Sequence, residues 1–174
     1  MAEIEEELDI RYTHITDEAY LRGWLMNPEL QHFLPVSNEQ EVHNTLQCWL
    51  GFCRYSASLT ATLNGTPCGI ATLFLMPYQK VSHHCLFKIM VDPMHQKKGV
   101  GNSLLKNVIH LAKIYFKLEE IYTEVVEDNP LIHLLRKYDF YQFAEQKDYV
   151  KENDRYYARL LFGISLIRTG KKKP

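Results

Sequence analysis

Between Val91 and Leu105 the chain reads VDPMHQKKGVGNSLL. Lys97 and Lys98 stand beside Gly99 and Gly101, with an apolar run ahead and an amphipathic one behind. That arrangement suits an anion. A helix start carries unpaired N–H groups and the positive end of the helix dipole, and it binds phosphate groups readily. Gly99 and Gly101 remove side chains that would hold a phosphate off the backbone, and they permit positive φ. Gln96, Lys97 and Lys98 add donors and charge, so the segment fits a pyrophosphate held by successive backbone amides. A flexible turn with solvated lysines is the plainer alternative; the strand before and the long helix after favour the anion site. Two common phosphate motifs are excluded. A P-loop closes on Gly-Lys-Ser/Thr, and here Gly101 is followed by Asn102. A dinucleotide fingerprint needs a glycine at position 104, which is Leu104.

These residues need a scaffold, and the periodicity supplies one. LDIRYTHI reads as a first strand. Thr16 is placed to cap a helix whose first turn holds Asp17 and Glu18, and NPEL ends it. Ser37 and Gln40 fit a capping box ahead of Val42, Leu46, Trp49, Leu50 and Cys53 at helical spacing. Leu59, Ala61 and Leu63 then alternate up to Asn64-Gly65, a strong hairpin signal. HHCLFKIMV is apolar at nearly every position, as a strand covered on both faces should be. After the glycines, Leu104, Leu105, Val108, Ile109, Ala112, Tyr115 and Phe116 mark one helical face. EIYTEVV is the next strand. Asn129-Pro130 starts a helix that runs to about Tyr138, and a hairpin turning at Lys151–Asp154 closes the chain. The predicted order is β-α-α-β-β-β-α-β-α-β-β: an α/β (α+β) fold whose mixed, mostly antiparallel sheet has about seven strands, one β-α-β crossover and helices on both faces.

The chain has 174 residues, nearly half of them apolar, and a formal net charge of −1. This favours one domain, placed at 8–167 with tails at 1–7 and 168–174, and gives no global pull toward nucleic acid or membrane. The acidic MAEIEEELDI is unlike a secretory or mitochondrial presequence, and no apolar run reaches the length of a membrane span. Cys48, Cys53, Cys68 and Cys85 lack paired-zinc spacing and are expected to be reduced and mostly in the core. These features predict a cytoplasmic protein, monomer or homodimer.

QKKGVG, Gln96 to Gly101, has the pattern Q-x-x-G-x-G, and it resembles the acyl-CoA loop of the GCN5-related N-acetyltransferases. VDPMHQKKGVGNSLL is similar to that family's strand–loop–helix throughout, Asp-Pro included. VEDNPLIHLLRKYDF resembles the family's next strand end and short helix. WLMNPELQHFLP is similar to the branch that includes the ribosomal-protein-alanine N-acetyltransferases. Asp139 stands where the family usually has a glycine; Asp tolerates a left-handed backbone better than most other residues.

The resemblance implies the acyl-CoA N-acyltransferase fold, acetyl-CoA as cosubstrate, no metal, and acetyl transfer to a primary amine by direct attack in a ternary complex. The acceptor would be a protein N-terminus or a small-molecule amine. The implied cofactor-binding residues are Ile89, Met90 and Val91, whose backbone would pair with the pantetheine arm, together with Gln96, Lys97, Lys98, Gly99, Val100, Gly101, Asn102 and Asn129. A backbone N–H on that strand would polarise the thioester carbonyl. The usual tyrosine acid position holds Leu135, so Tyr138 is the candidate acid. Where many relatives carry a glutamate base, this chain has His83, His84 and Cys85, and His84 is the candidate base. Glu124 and Glu127 are spares. Adjacent strand residues point to opposite faces, so His83, His84 and Cys85 do not converge on a metal. Cys85 also raises the alternative of an acyl-enzyme. Phe33, Trp49, Tyr78, Tyr156 and Tyr157 are possible acceptor-site aromatics. The competing reading is a catalytically impaired CoA-binding or regulatory module on the same fold.

Overall fold

A computed structural model describes residues 7–167. Seven strands lie in the order β1-β2-β3-β4-β5-β7-β6: β1 Leu8–Tyr12, β2 Ser58–Leu63, β3 Thr66–Leu75, β4 His84–Val91, β5 Glu120–Val126, β6 Tyr141–Glu152 and β7 Arg155–Ser165. The pairs β1–β2, β2–β3, β5–β7 and β6–β7 are antiparallel, and β4–β5 is parallel. Five α-helices join them: α1 Glu18–Leu25, α2 Pro28–Gln31, α3 Glu39–Gly51, α4 Val100–His110 and α5 Leu131–Lys137. The predicted strand–helix order holds, with α2 as an added single turn. The chain forms two compact units, one of residues up to Leu73 with Lys88–Val108, the other of Phe74–Phe87 with the residues from Ile109 onward. Apart from Glu7, the expected tails lie outside the described residues.

In the first unit, Leu21, Leu25, Val42, Leu46 and Trp49 from α1 and α3 are buried, as are Ile70, Leu73, Leu104 and Leu105. Burying a side chain of this size contributes about 2 kcal/mol. Asn64 and Gly65 both take positive φ, 49° and 80°, as the predicted tight hairpin requires. Among the described residues the buried polar side chains are Thr, Ser and one charged group, Asp17. The Asp17 carboxylate accepts both Arg11 terminal nitrogens at 2.8 Å, the His14 amide at 3.0 Å and the Thr60 hydroxyl at 2.9 Å. Burial pushes its pKa up, but these donors outweigh that and hold the carboxyl below its usual range.

Two predicted caps are corrected. The chain enters α1 through a tight turn at Ile15–Asp17 fixed by the Asp17 carboxylate, so Thr16 is not the cap. At α3 the cap is Asn38, whose side chain accepts the Glu41 amide at 3.0 Å; Ser37 instead donates its amide and hydroxyl to the Glu41 carboxylate.

In the second unit, Cys85, Phe87, Ile121, Leu135, Phe140 and Phe162 form the buried centre, with the Phe87 and Phe140 rings 5.5 Å apart. At the end of α5, the Phe140 amide donates to the Leu135 carbonyl and the Asp139 amide to that of Arg136, closing a Schellman turn with Asp139 at φ 62°. The glycine-to-aspartate change therefore keeps the left-handed backbone. The helix after the glycines does not run regularly to Phe116. Leu111–Tyr115 forms a π turn, with the Phe116 amide donating to the Leu111 carbonyl. The extra residue rotates the helical face, and Tyr115 is exposed instead of buried.

The β6–β7 ladder breaks register twice, once at Phe143 and again between Gln146 and Val150, where four steps on β6 match two on β7. Along β4, Cys85, Phe87 and Met90 are buried while the remaining residues are half-buried, so neither face is fully sealed.

Candidate functional site

The structure gathers most of the predicted binding residues in the first unit. β4 ends at Val91, and Asp92 accepts the Met94 amide at 3.0 Å, capping a short turn at Pro93–His95. Proline fixes the first position of that turn without needing a donor. The Gln96 side-chain amide donates to the Val91 carbonyl at 3.5 Å, bending the loop back to the strand end. Lys97 takes φ 62° and Gly99 φ 85°. A Cβ on Gly99 would meet nothing within 4 Å, so space lies open there, and the left-handed backbone still favours glycine. The Ser103 amide donates to the Gly99 carbonyl at 2.9 Å, which sets Gly99 immediately before α4. Gln96, Lys97, Lys98 and Gly99 are exposed, while Val100 is buried and pins the helix start. Two cations, an open glycine and the first amides of an 11-residue helix thus share one short segment. A helix start of this kind is a place where anionic groups bind.

Two neighbours of the loop were missed in the sequence. The Cys68 carbonyl accepts the Asp92 amide at 2.9 Å, and Gly69 lies directly under Val100 and Leu104. An isolated glycine inside a strand is itself a signal of close backbone approach, and it was available in TPCGIATLFL.

The remaining candidates belong to the second unit. The Asn129 side-chain oxygen accepts the Leu131 amide at 2.9 Å. Tyr138 is half-buried at the end of α5, and its amide bonds to the Leu134 and Leu135 carbonyls. Leu135, at the usual tyrosine position, is fully buried. His84 opens β4 opposite Glu120, with its ring centroid 5.8 Å from that of Tyr122 and 4.8 Å from that of His83. Its Nδ1 is buried and has no hydrogen-bond partner among the described residues. Burial, with Cys85 and Glu124 nearby, pushes the Tyr122 phenol up.

The spare carboxylates are committed to β7. Glu124 accepts Arg159 Nη1 at 2.6 Å, and Glu127 accepts the Ala158 amide at 2.9 Å. Cys85 is fully buried, and burial pushes its thiol up to about 12, so it is no nucleophile. The thiols also divide more evenly than expected: Cys68 and Cys85 are buried, Cys53 is intermediate and Cys48 is exposed. Trp49 is core, whereas Tyr78 and Tyr156 are exposed. Among the described residues no group of three or more His, Cys, Asp or Glu side chains is arranged to hold a metal, and no helix is long and apolar enough to cross a membrane.

Known proteins resemble this chain in sequence and in fold. It is 28% identical over 99 residues to the L-amino acid N-acetyltransferase AaaT of Escherichia coli K12, covering 56% of this chain and 61% of that protein. It is 32% identical over 96 residues to the spermine/spermidine N(1)-acetyltransferase of Bacillus subtilis, covering 52% and 61%. The chain thus spans about three fifths of the length of these curated relatives. Two solved structures share the fold: yncA of Salmonella typhimurium with its cofactor acetyl-CoA (TM-score 0.78, 19% identity, 95% of this chain and 98% of that one) and the ribosomal-protein-alanine N-acetyltransferase of Brucella melitensis (TM-score 0.76, 21% identity, 90% and 98%). The model of the acetyltransferase (GNAT) family matches residues 24–140, through the loop, α4, β5 and α5, and the chain belongs to that family.

Proposed function

We propose that this chain is an acetyl-CoA-dependent N-acetyltransferase, a single catalytic domain spanning residues 8–167, that acetylates a primary amine by direct attack in a ternary complex. The observation that carries this reading is the exposed Gln96–Gly99 loop, with Gly99 left-handed and open in front of α4. Acetyl-CoA supplies an acetyl group activated as a thioester. Gln96, Lys97, Lys98, Gly99, Val100, Gly101 and Asn102 would hold its pyrophosphate, and the backbone of Ile89, Met90 and Val91 would receive the pantetheine arm as an added strand edge. Asn129 would donate its NH2 to that arm. The acceptor must lose a proton to attack, and His84 would take it, through water, because His84 lies five residues down β4 from Ile89. Tyr138 would return a proton to the departing thiolate. The relatives act on amino acids and polyamines; for this chain the acceptor class is a primary amine. Four free thiols suit a reducing compartment, and we place the reaction in the cytoplasm.

Calorimetric titration of the purified chain with acetyl-CoA tests this reading. Saturable binding that is lost in Gly101→Asp, followed by thiol release with a panel of primary amines, is the expected result. No binding at millimolar ligand would overturn it. The buried Leu135 favours a second reading, a module that binds CoA without turnover. Its signature is binding without thiol release from any amine.

A further inference from the structure

We propose that Gly69 is a positioning residue of the acetyl-CoA site, a spacer in β3 that sets how closely the end of β4 and the first turn of α4 approach each other. This rests on the reading that the α4 start holds acetyl-CoA. A Cβ at Gly69 would lie 2.9 Å from Leu104 Cδ1, 3.0 Å from the Met90 carbonyl oxygen and 3.1 Å from Val100 Cγ1. The leucine methyl can rotate aside. The Met90 oxygen is backbone, and Val100 is the first residue of α4 and is buried, so neither yields without moving its element. Met90 belongs to the strand assigned to the pantetheine arm, and Val100 to the helix start assigned to the pyrophosphate. One missing methyl group therefore touches both parts of the site.

The preceding residue reinforces this role. β2 and β3 shift register between Ala61↔Gly69 and Thr62↔Pro67, which leaves Cys68 as an extra residue in β3. Such a bulge re-aims the backbone. Here the Cys68 carbonyl receives the Asp92 amide at 2.9 Å, and the buried thiol donates to the Ala61 carbonyl at 3.4 Å. Cys68 ties down the residue that leaves β4, and Gly69 clears room for the residue that begins α4.

The test compares acetyl-CoA affinity by calorimetry in wild type, Gly69→Ala, Val100→Ala, the double variant, and Leu21→Ala as a destabilised control in α1. The expected result is affinity lowered at least tenfold in Gly69→Ala and within twofold of wild type in Leu21→Ala. The double variant should bind at least threefold tighter than Gly69→Ala, because removing Cγ1 lets the added methyl shift toward α4 and away from the Met90 oxygen. Wild-type affinity in a folded Gly69→Ala, an equal loss in Leu21→Ala, or no recovery in the double variant would each overturn the proposal. If Gly69→Ala does not fold, the double variant measured against Val100→Ala decides it. Absence of acetyl-CoA binding in the wild type would instead remove the functional reading and this inference with it.

Discussion

Two helices of this protein begin in opposite ways. At α5, Pro130 removes one donor and the Asn129 side chain accepts the Leu131 amide, so the chain satisfies its own helix start. At α4, the residue ahead of the helix is Gly99, which has no side chain to offer, and the space beside it is open. Two other starts resemble α5: Asn27 accepts the Glu29 amide ahead of α2 and Asn38 the Glu41 amide ahead of α3, whereas α1 has no side-chain cap bond and is entered through the turn that Asp17 fixes. At α2, α3 and α5 a side-chain oxygen takes one of the first amides of the helix. The α4 start is flanked by Lys97 and Lys98. A helix start flanked by cations is a place where an anionic ligand can complete the backbone's hydrogen bonds.

The sharpest way to break the contrast is to close the open start. Gly101→Asp puts a carboxylate among the first amides of α4. It should weaken acetyl-CoA binding at least ~100-fold through bulk and charge at an anion site, read by calorimetry; affinity near wild type would mean the loop holds no phosphate. Removing the buried carboxylate at the entry to α1 gives the next largest effect. Asp17→Asn should cost about 3 kcal/mol at neutral pH, because Arg11 and its neighbours lose a buried charged partner. The folded Asp17 pKa is lowered, so its contribution is complete above the unfolded value of about 4 and is lost as pH falls through the folded one. Urea unfolding at pH 7 and in stronger acid should show the deficit shrinking in acid; a deficit independent of pH would assign the loss to packing.

Asn129 separates capping from binding at one residue. Asn129→Ala should lower stability by about 1 kcal/mol. Asn129→Asp keeps the capping oxygen and should preserve the thermal midpoint, while acetyl-CoA affinity falls about fivefold, the worth of one hydrogen bond. Equal affinity in Asn129→Asp and wild type would leave Asn129 a cap only. The smallest effect belongs to Asn27→Ala, about 0.5 kcal/mol by thermal unfolding, since α2 is a single turn.

Where local chemistry dictates conformation, the sequence was legible. Asn64-Gly65 forms its hairpin, Asn129-Pro130 its helix start, and Asp139 the left-handed turn, because each depends on a side chain acting on its own backbone. The loop was legible for the same reason: glycines and lysines beside a helix start act locally. The misses depended on competition or on distant contacts. Ser37 and Asn38 are both good caps, and Asn38 wins because Ser37 turns to the Glu41 carboxylate. Asn27-Pro28 is the same signal as Asn129-Pro130 and starts its own short helix. The π turn at Leu111–Tyr115 leaves the apolar pattern unchanged and only rotates its face. The ties of Cys68 and Gly69 to the loop depend on β4 and α4 arriving from more than twenty positions later in the chain. The acid and base are less legible still, since Leu135 and His84 stand where the family resemblance leads one to expect other residue types.

The register breaks in β6 bear on how the protein behaves at high concentration. β6 is a 12-residue edge strand with Tyr141, Phe143 and Tyr149 all exposed. A straight strand of that composition is a template on which other chains add and fibrils grow. The extra residue at Phe143, and the kink between Gln146 and Val150 with Asp148 at φ 53°, cut it into short runs, such as Ala144–Gln146. Stacked cross-β growth takes about six or seven consecutive residues. Lys147, Asp148 and Lys151 add charge beside the kink. The irregular hairpin thus works against templated aggregation along an aromatic-rich edge.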